Sequence, residues 1–139
     1  MASITRIVYC TDFSANADAA FAVAQELAAA LHARLYVLHV VSGGEALAAS
    51  GTVTWLPFVT NLRARLKERY FCQADVATEV SVRRGSPDKI IVAFASRENA
   101  DLVVVGARGA GTMRGLLGGG SVADKVVKNS PVPVLVVPK

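Results

Sequence analysis

The sequence predicts an α/β fold, in which five mostly parallel strands form an open sheet with helices on both faces. Five apolar runs alternate along the chain with four longer segments of helical periodicity. One of these runs, Asp101–Gly106, is apolar at each position from Leu102 to Val105, which is typical of a parallel strand covered on both faces. With 139 residues, 53% of them hydrophobic and 19% charged, the chain fits one globular domain over residues 1–139.

The first half of the chain contains two predicted strands and two predicted helices. Ile4–Tyr9 is a short apolar run and is predicted to be a buried strand. Ser14 is a favourable N-cap for an alanine-rich helix over residues 15–32, whose apolar residues recur at helical spacing. Arg34–Val41 is the second predicted strand, and Leu56–Tyr70 is the second predicted helix.

The second half repeats this alternation. Ala77–Arg84 alternates apolar and polar residues and is predicted to be the third strand. Ser86 is a capping residue, and a proline at the first helical position starts a third helix, Pro87–Arg97. After the strand at residues 101–106, a fourth helix is predicted within Ser121–Ser130 and a fifth strand at Val132–Val137. Right-handed crossovers between parallel strands place the helices on both faces of the sheet.

A glycine-rich segment connects the fourth strand to the fourth helix. Its glycines are Gly106, Gly109, Gly111, Gly115, Gly118, Gly119 and Gly120. Glycine lets backbone N–H groups approach a ligand closely, and the start of a helix adds free N–H groups and a positive dipole end. Because this combination is typical of phosphate sites, the sequence predicts a nucleotide or another phosphate ligand held by the backbone.

Three segments are expected to meet at one edge of the sheet. In open sheets, ligands bind beyond the carboxyl ends of the strands, where the strand order reverses. Cys10–Ser14, the chain after Val40 and the chain after Gly106 all lie on that edge. The segment does not match a P-loop, because no lysine precedes Ser121. Gly118–Ala123 is a poor dinucleotide fingerprint, because no later strand can supply an acidic ribose partner.

Charge and cysteine content argue against several other classes of protein. The net charge is only +4, and basic residues alternate with apolar ones along the second helix at Arg63, Arg65, Lys67 and Arg69. This pattern is typical of a solvated helix face, so no nucleic-acid partner is predicted. Cys10 and Cys72 form no Cys-x-x-Cys pair and indicate a reducing compartment. No signal peptide is expected and no apolar run approaches the ~20 residues of a membrane span, which predicts a cytoplasmic protein without a membrane partner.

Taken together, these motifs resemble the universal stress protein family in its nucleotide-binding form. Such members carry Gly, two residues, Gly, nine residues, then Gly followed by Ser or Thr. Here Gly106 and Gly109 are followed by ten residues before Gly120-Ser121, or by nine before Gly119. The segments that also resemble the family are residues 7–14 (Ile-Val-Tyr-Cys-Thr-Asp-Phe-Ser), Leu38-His39-Val40 and Pro131–Val137. The resemblance covers the whole chain and implies a Rossmann-like sheet with strand order 3-2-1-4-5.

The resemblance also implies a site for ATP or a related adenine nucleotide, with Mg²⁺ or Mn²⁺ as an optional bridging ion. Asp12 resembles the acid that accepts hydrogen bonds from the ribose hydroxyls, Cys10 and Thr11 would line the base, and Val40 would contact the adenine. Asp12 is alternatively a turn residue beside Ser14. Cys10 is better explained as a buried small hydrophobe than as a reactive thiol.

The phosphate side of this site falls on the glycine-rich segment. By resemblance, the ribose and phosphates would be held by Gly106, Gly109, Gly119, Gly120, Ser121 and Val122, with Arg108 available to pair with a phosphate. Ser121 has a second interpretation, because Ser121-x-x-Asp124 is a capping-box pattern. The sequence contains no positioned general base or nucleophile–base pair, so any ATP hydrolysis is expected to be slow.

The same resemblance implies a role in stress response or signalling and a homodimer. With strand order 3-2-1-4-5, the apolar segment Val132–Val137 forms an edge strand, and an open apolar edge favours aggregation. Pairing with the same strand of a second copy would cover it by a two-fold contact. The alternatives are a slow ATPase and an interaction module of the family that no longer binds nucleotide. The longer glycine segment keeps the interaction module open.

Overall fold

A computed structural model describes residues 3–42, 55–70, 76–107 and 121–138 of the protein. Strands and helices alternate along these ranges, as the apolar periodicity predicts. They are β1 (Arg6–Thr11), α1 (Ala15–Leu31), β2 (Arg34–Val41), α2 (Trp55–Arg69), β3 (Thr78–Arg84), α3 (Pro87–Arg97), β4 (Leu102–Gly106), α4 (Val122–Asn129) and β5 (Val134–Val137).

The strands form one parallel sheet in the order β3-β2-β1-β4-β5, which confirms the predicted topology. Strand β1 is central: Val8 lies opposite Tyr36 of β2 on one side and Val103 of β4 on the other. The connection after β1 leads to β2 on one side of β1, whereas the chain later returns to form β4 on the other side of β1. The strand order therefore reverses between β1 and β4.

Two apolar layers cover the sheet, as expected for strands with continuous apolar sequences. Helices α1 and α2 cover one face, where Tyr9, Val37 and Leu66 are among the buried residues. Helices α3 and α4 cover the other face, where Leu38 and Ile91 are buried. Successive residues of each central strand point into opposite layers.

The helix caps follow the sequence prediction with one difference. Ser14 caps α1, because its Oγ accepts a hydrogen bond from Ala17 N at 3.2 Å. Ser86 occupies the N-cap position of α3 as predicted, but its hydroxyl donates to Asp88 Oδ1 at 2.8 Å. The side chain of Ser86 therefore does not cap the helix backbone.

Two strands have bounds that differ by two residues from the predicted ones: both ends of β1 and the start of β5 lie later in the chain. The first strand was predicted at Ile4–Tyr9, but β1 begins at Arg6 and continues to Thr11, which pairs with His39. It starts later because the N–H groups of Thr5 and Arg6 donate to Asp101 Oδ2 instead. The edge strand β5 begins only at Val134, after the second of two prolines.

The basic residues of α2 are exposed, as predicted for a solvated helix face. Two of them also have partners on other elements. Arg69 Nη2 lies 2.7 Å from Asp18 Oδ2 of α1, and the guanidinium of Arg65 lies 4.5 Å from the ring centre of Phe13. Among the described helices, none is long and apolar enough to cross a membrane.

Asp101 fastens the start of β1, and this contact makes the stability of the fold depend on pH. Thr5 N, Thr5 Oγ1 and Arg6 N donate to Asp101 Oδ2 at 2.9, 3.1 and 3.0 Å. These hydrogen bonds, the one from the Thr5 backbone above all, hold the pKa of Asp101 below its ordinary value. A lowered pKa means that the stabilisation is complete above the unfolded pKa and is lost as the pH falls through the folded one.

We expect Asp101→Asn to unfold more easily than the unmutated protein at pH 7, by about 0.5–1.5 kcal/mol after allowing for solvent screening. The difference should shrink as the pH falls below about 4, the ordinary range of an aspartate, because the wild-type carboxylate is then protonated. Urea unfolding followed by circular dichroism at pH 7, 5 and 3 measures it. A difference that is constant over this range would mean that the charge of Asp101 contributes nothing.

Gly106 ends β4 where the first turn of α1 passes over it. A Cβ at this position would lie 3.1 Å from the carbonyl oxygen of Asn16 and 3.2 Å from the carbonyl carbon, which is tighter than ordinary van der Waals contact with rigid backbone. We therefore expect Gly106→Ala to destabilise the protein by about 1–3 kcal/mol. Thermal unfolding by calorimetry tests this, and Gly106→Ser should cost at least as much. An unchanged or raised Tm would show that α1 moves aside freely.

Candidate functional site

A cleft opens at the carboxyl ends of β1 and β4, where the strand order reverses. This is the edge at which the sequence predicts a ligand site. The empty space within the cleft, with the open solvent at its mouth included, is about 380 Å³. It is lined by residues of both strands, of α1, α3 and α4, and of the adjoining turns: Cys10, Asp12, Ser14, Ala17, Ile91, Val105, Gly106, Ala107, Ser121, Val122 and Ala123.

The bottom of the cleft is apolar. Cys10, Ile91, Val105 and Ala123 are each at most 6% exposed. Burial, with a further contribution from the nearby charge of Asp12, raises the pKa of the Cys10 thiol to about 12. The thiol is therefore neutral at physiological pH and acts as a small apolar group, as the sequence predicts. The described residues at the bottom of the cleft therefore offer apolar contact and no charged group.

Asp12 lies at the rim of the cleft, in the turn that joins β1 to α1. Its Oδ1 accepts a hydrogen bond from the N–H of Ser14 at 2.9 Å. This is the turn role that the sequence leaves open as an alternative, and it fixes the orientation of the carboxylate. The two interpretations of Asp12 are compatible, since the residue makes the turn and lines the cleft.

Ser121 lines the cleft and caps the N-terminus of α4. Its Oγ accepts from Asp124 N at 3.1 Å, and its own N–H donates to Asp124 Oδ2 at 3.4 Å. The predicted capping box is therefore present. Val122 and Ala123 follow along the cleft wall, so the positive end of the helix dipole faces the cleft.

Two predicted site residues lie elsewhere. Thr11 is 1% exposed; its hydroxyl contacts that of Tyr70 in the layer beneath α1 and α2, and its side chain does not line the cleft. The reason is the extension of β1: Cys10 and Thr11 are adjacent in a strand and point to opposite faces. Val40 is buried in the same apolar cluster as Cys10, below the cleft.

Of the remaining predicted site residues, one lines the cleft and four lie outside the described ranges. Gly106 lines the cleft, and its close approach to Asn16 is a reason for glycine that the sequence did not reveal. Four predicted residues lie outside the part of the chain that the structure describes: Arg108, Gly109, Gly119 and Gly120. Sequence reasoning missed Ala17 and Ile91, which line the cleft from α1 and α3 and have no polar group that could have singled them out. Within the described ranges, no cluster of three metal-ligating side chains occurs.

His39 contacts the turn of residues 11–14 from the layer beneath it. It is 4% exposed, and its Nδ1 lies 2.9 Å from the carbonyl oxygen of Thr11. Because a carbonyl can only accept, Nδ1 carries the hydrogen and donates it. The ring also packs against that of Phe13, the residue after Asp12, with the ring centres 4.8 Å apart and the planes tilted by 58°. These contacts join residues distant in sequence, so no local pattern reports them.

Comparisons with known proteins agree with this architecture. A sequence profile of the universal stress protein family matches residues 3–138. The chain is 33% identical over 141 residues to a universal stress protein of Methanocaldococcus jannaschii, in an alignment that covers 96% of this chain and 82% of the relative.

Solved structures of similar proteins extend the agreement to the whole fold. The universal stress protein UspA from Lactobacillus plantarum superposes with a TM-score of 0.73 at 26% identity, over 99% of each chain. A universal stress protein whose crystal structure is in complex with cAMP gives a TM-score of 0.69 at 26% identity, over 98% of each chain. The profile match over nearly the whole length, together with the strand order, shows that this chain belongs to the universal stress protein family.

Proposed function

We propose that the protein binds an adenine nucleotide, with ATP as the expected ligand, in the cleft between the ends of β1 and β4. The observation that carries this proposal is the composition of the cleft: buried apolar residues, the turn residue Asp12 and the capped N-terminus of α4 line the same cleft. Each part suits one part of a nucleotide. A family member of 26% identity that was crystallised with cAMP supports this assignment.

The base would lie on the floor formed by Cys10 and Val105, which offers apolar contact but no charge. The ribose would lie beside Asp12, whose carboxylate can accept hydrogen bonds from hydroxyl groups. The phosphates would lie at the start of α4, beside Ser121 and Val122, where free N–H groups and the helix dipole favour an anion. Asp12 and Ser121 are also the oxygen donors in this cleft that suit a Mg²⁺ or Mn²⁺ ion bridging phosphates.

We propose binding rather than catalysis as the main activity. Among the described residues that line the cleft, Cys10 is the strongest potential nucleophile, and burial keeps its thiol neutral. No histidine or lysine lies among those lining residues to serve as a general base. Such a site suits a protein that responds to nucleotide concentration in a stress or signalling role. Slow hydrolysis of ATP remains the enzymatic alternative.

We expect the unmutated protein to bind ATP and Asp12→Ala to weaken it by a factor of about 5 to 150, corresponding to about 1–3 kcal/mol of lost hydrogen bonding. Isothermal titration calorimetry with ATP, AMP and cAMP measures both proteins. Glu26→Ala is the matched control, because it removes the same charge from an exposed position of α1 outside the cleft.

The outcomes separate the possible functions. Equal affinities of the unmutated protein and Asp12→Ala would remove the carboxylate from the site. If no adenine nucleotide binds to the unmutated protein, the cleft is not a nucleotide site. The interaction module then becomes the better explanation.

We propose further that two copies associate through β5. This strand is at the edge of the sheet, and its residues are only partly buried. Ala107 N donates to Val137 O at 2.9 Å, so the neighbouring Val136 directs its own N–H and C=O away from β4. An outward row of main-chain groups on an apolar strand is a template for pairing with a second copy.

We expect light scattering at micromolar concentration to give twice the chain mass of 14.6 kDa. Val136→Pro removes an outward N–H and no bond to β4, so it should shift the protein toward monomer while circular dichroism still shows the α/β fold. A monomeric unmutated protein would show that the edge of β5 is covered in another way.

A further inference from the structure

The turn that carries Asp12 is held from the side opposite to the cleft. Phe13 has a backbone φ of 66°, in the left-handed region that a bulky side chain rarely adopts. Such a conformation persists only where surrounding contacts enforce it. The Phe13 ring is enclosed by His39 at 4.8 Å, by the Arg65 guanidinium at 4.5 Å and by that of Arg69 at 5.6 Å. Two of these three residues belong to α2.

A chain of hydrogen bonds runs from the same turn to α1 and to the end of α2. The N–H of Phe13 donates to Thr11 Oγ1 at 2.9 Å, and Thr11 Oγ1 contacts the hydroxyl of Tyr70. The Tyr70 hydroxyl lies 2.9 Å from Asp18 Oδ1. Arg69 Nη2 donates to the other oxygen of the same carboxylate at 2.7 Å.

The donors and acceptors in this series of hydrogen bonds can be assigned in only one way. An ionised carboxylate accepts but cannot donate, so the single proton of the Tyr70 hydroxyl points to Asp18. The proton shared between Thr11 and Tyr70 must then come from Thr11, which leaves a Thr11 lone pair for the N–H of Phe13. Arg69 and Tyr70 keep Asp18 ionised: burial opposes them, but their hydrogen bonds lower the pKa of Asp18 overall.

We propose that Tyr70 is a positioning residue for the nucleotide site: its hydroxyl, acting through Thr11 and Phe13, fixes the turn that presents Asp12 at the cleft. This inference rests on the proposed nucleotide-binding function. Tyr70 is 2% exposed and lies in the layer under α1 and α2, whereas Cys10 and Ile91 at the cleft floor belong to the other layer. It therefore acts on the ligand from the opposite face of the sheet.

The test is Tyr70→Phe, which keeps the ring in contact with Tyr9 and Phe21 and removes only the hydroxyl that joins Thr11 to Asp18. ATP affinity should fall on the order of 3- to 10-fold. Tyr36→Phe is the matched control, because Tyr36 is also buried but packs against Phe94 in the other layer. It should leave the affinity within about two-fold of the unmutated protein.

A double-mutant cycle distinguishes positioning from general destabilisation. If Tyr70 acts through Asp12, adding Tyr70→Phe to Asp12→Ala should weaken ATP binding by less than about two-fold, since the group that it positions is already gone. The same 3- to 10-fold loss in both backgrounds would overturn the proposal. So would an unchanged affinity of Tyr70→Phe alone.

A second measurement does not need the ligand. In Tyr70→Phe, the amide protons of Phe13 and Ser14 should exchange with solvent about ten-fold faster by NMR, while that of Val104 in the centre of the sheet should not change. Unchanged exchange at Phe13 and Ser14 overturns the positioning role, whether or not ATP binds. Accelerated exchange without any ATP binding supports the control of the turn by Tyr70 and places the failure in the nucleotide assignment instead.

Discussion

Strand β1 is hydrogen-bonded along both edges and covered on both faces, and this enclosure determines where the protein can present polar groups. Each of its residues from Ile7 to Thr11 is at most 5% exposed. Apart from Arg6 at its exposed amino end, the strand can carry polar groups to the surface only beyond its carboxyl end. The turn of residues 11–14 lies there. The end of the neighbouring strand β4 and the start of α4 line the cleft together with this turn.

The architecture was predictable because it depends on local patterns. Apolar runs, proline positions and capping serines each report on a few neighbouring residues, and the ends of the helices and strands differ from the predicted ones by at most two residues. The Ser121 and Asp124 capping box is such a local pattern, and it is present. The position of the cleft followed from the strand order, which the family resemblance implied.

What the sequence did not reveal depends on contacts between distant residues. The family resemblance implied that Thr11 lines the base of a ligand, and the first strand was predicted to end at Tyr9, before this residue. The pairing of Thr11 with His39 extends the strand, and the side-chain alternation of an extended strand turns Thr11 away. Its contact with Tyr70 spans 59 positions in the chain. The glycine at position 106 was likewise explained by a ligand. The structure adds a second reason, because a Cβ there would lie 3.1 Å from the carbonyl oxygen of Asn16.

The buried thiol at the cleft floor has a consequence for the reactivity of the cleft. With a pKa of about 12, Cys10 is ionised in only about one molecule in 100,000 at pH 7, and oxidants attack the thiolate rather than the thiol. Peroxide therefore has almost no target at this position, although a cysteine lies where the base of a ligand would rest. Among the described residues that line the cleft, the single cysteine is therefore held in its unreactive, protonated form.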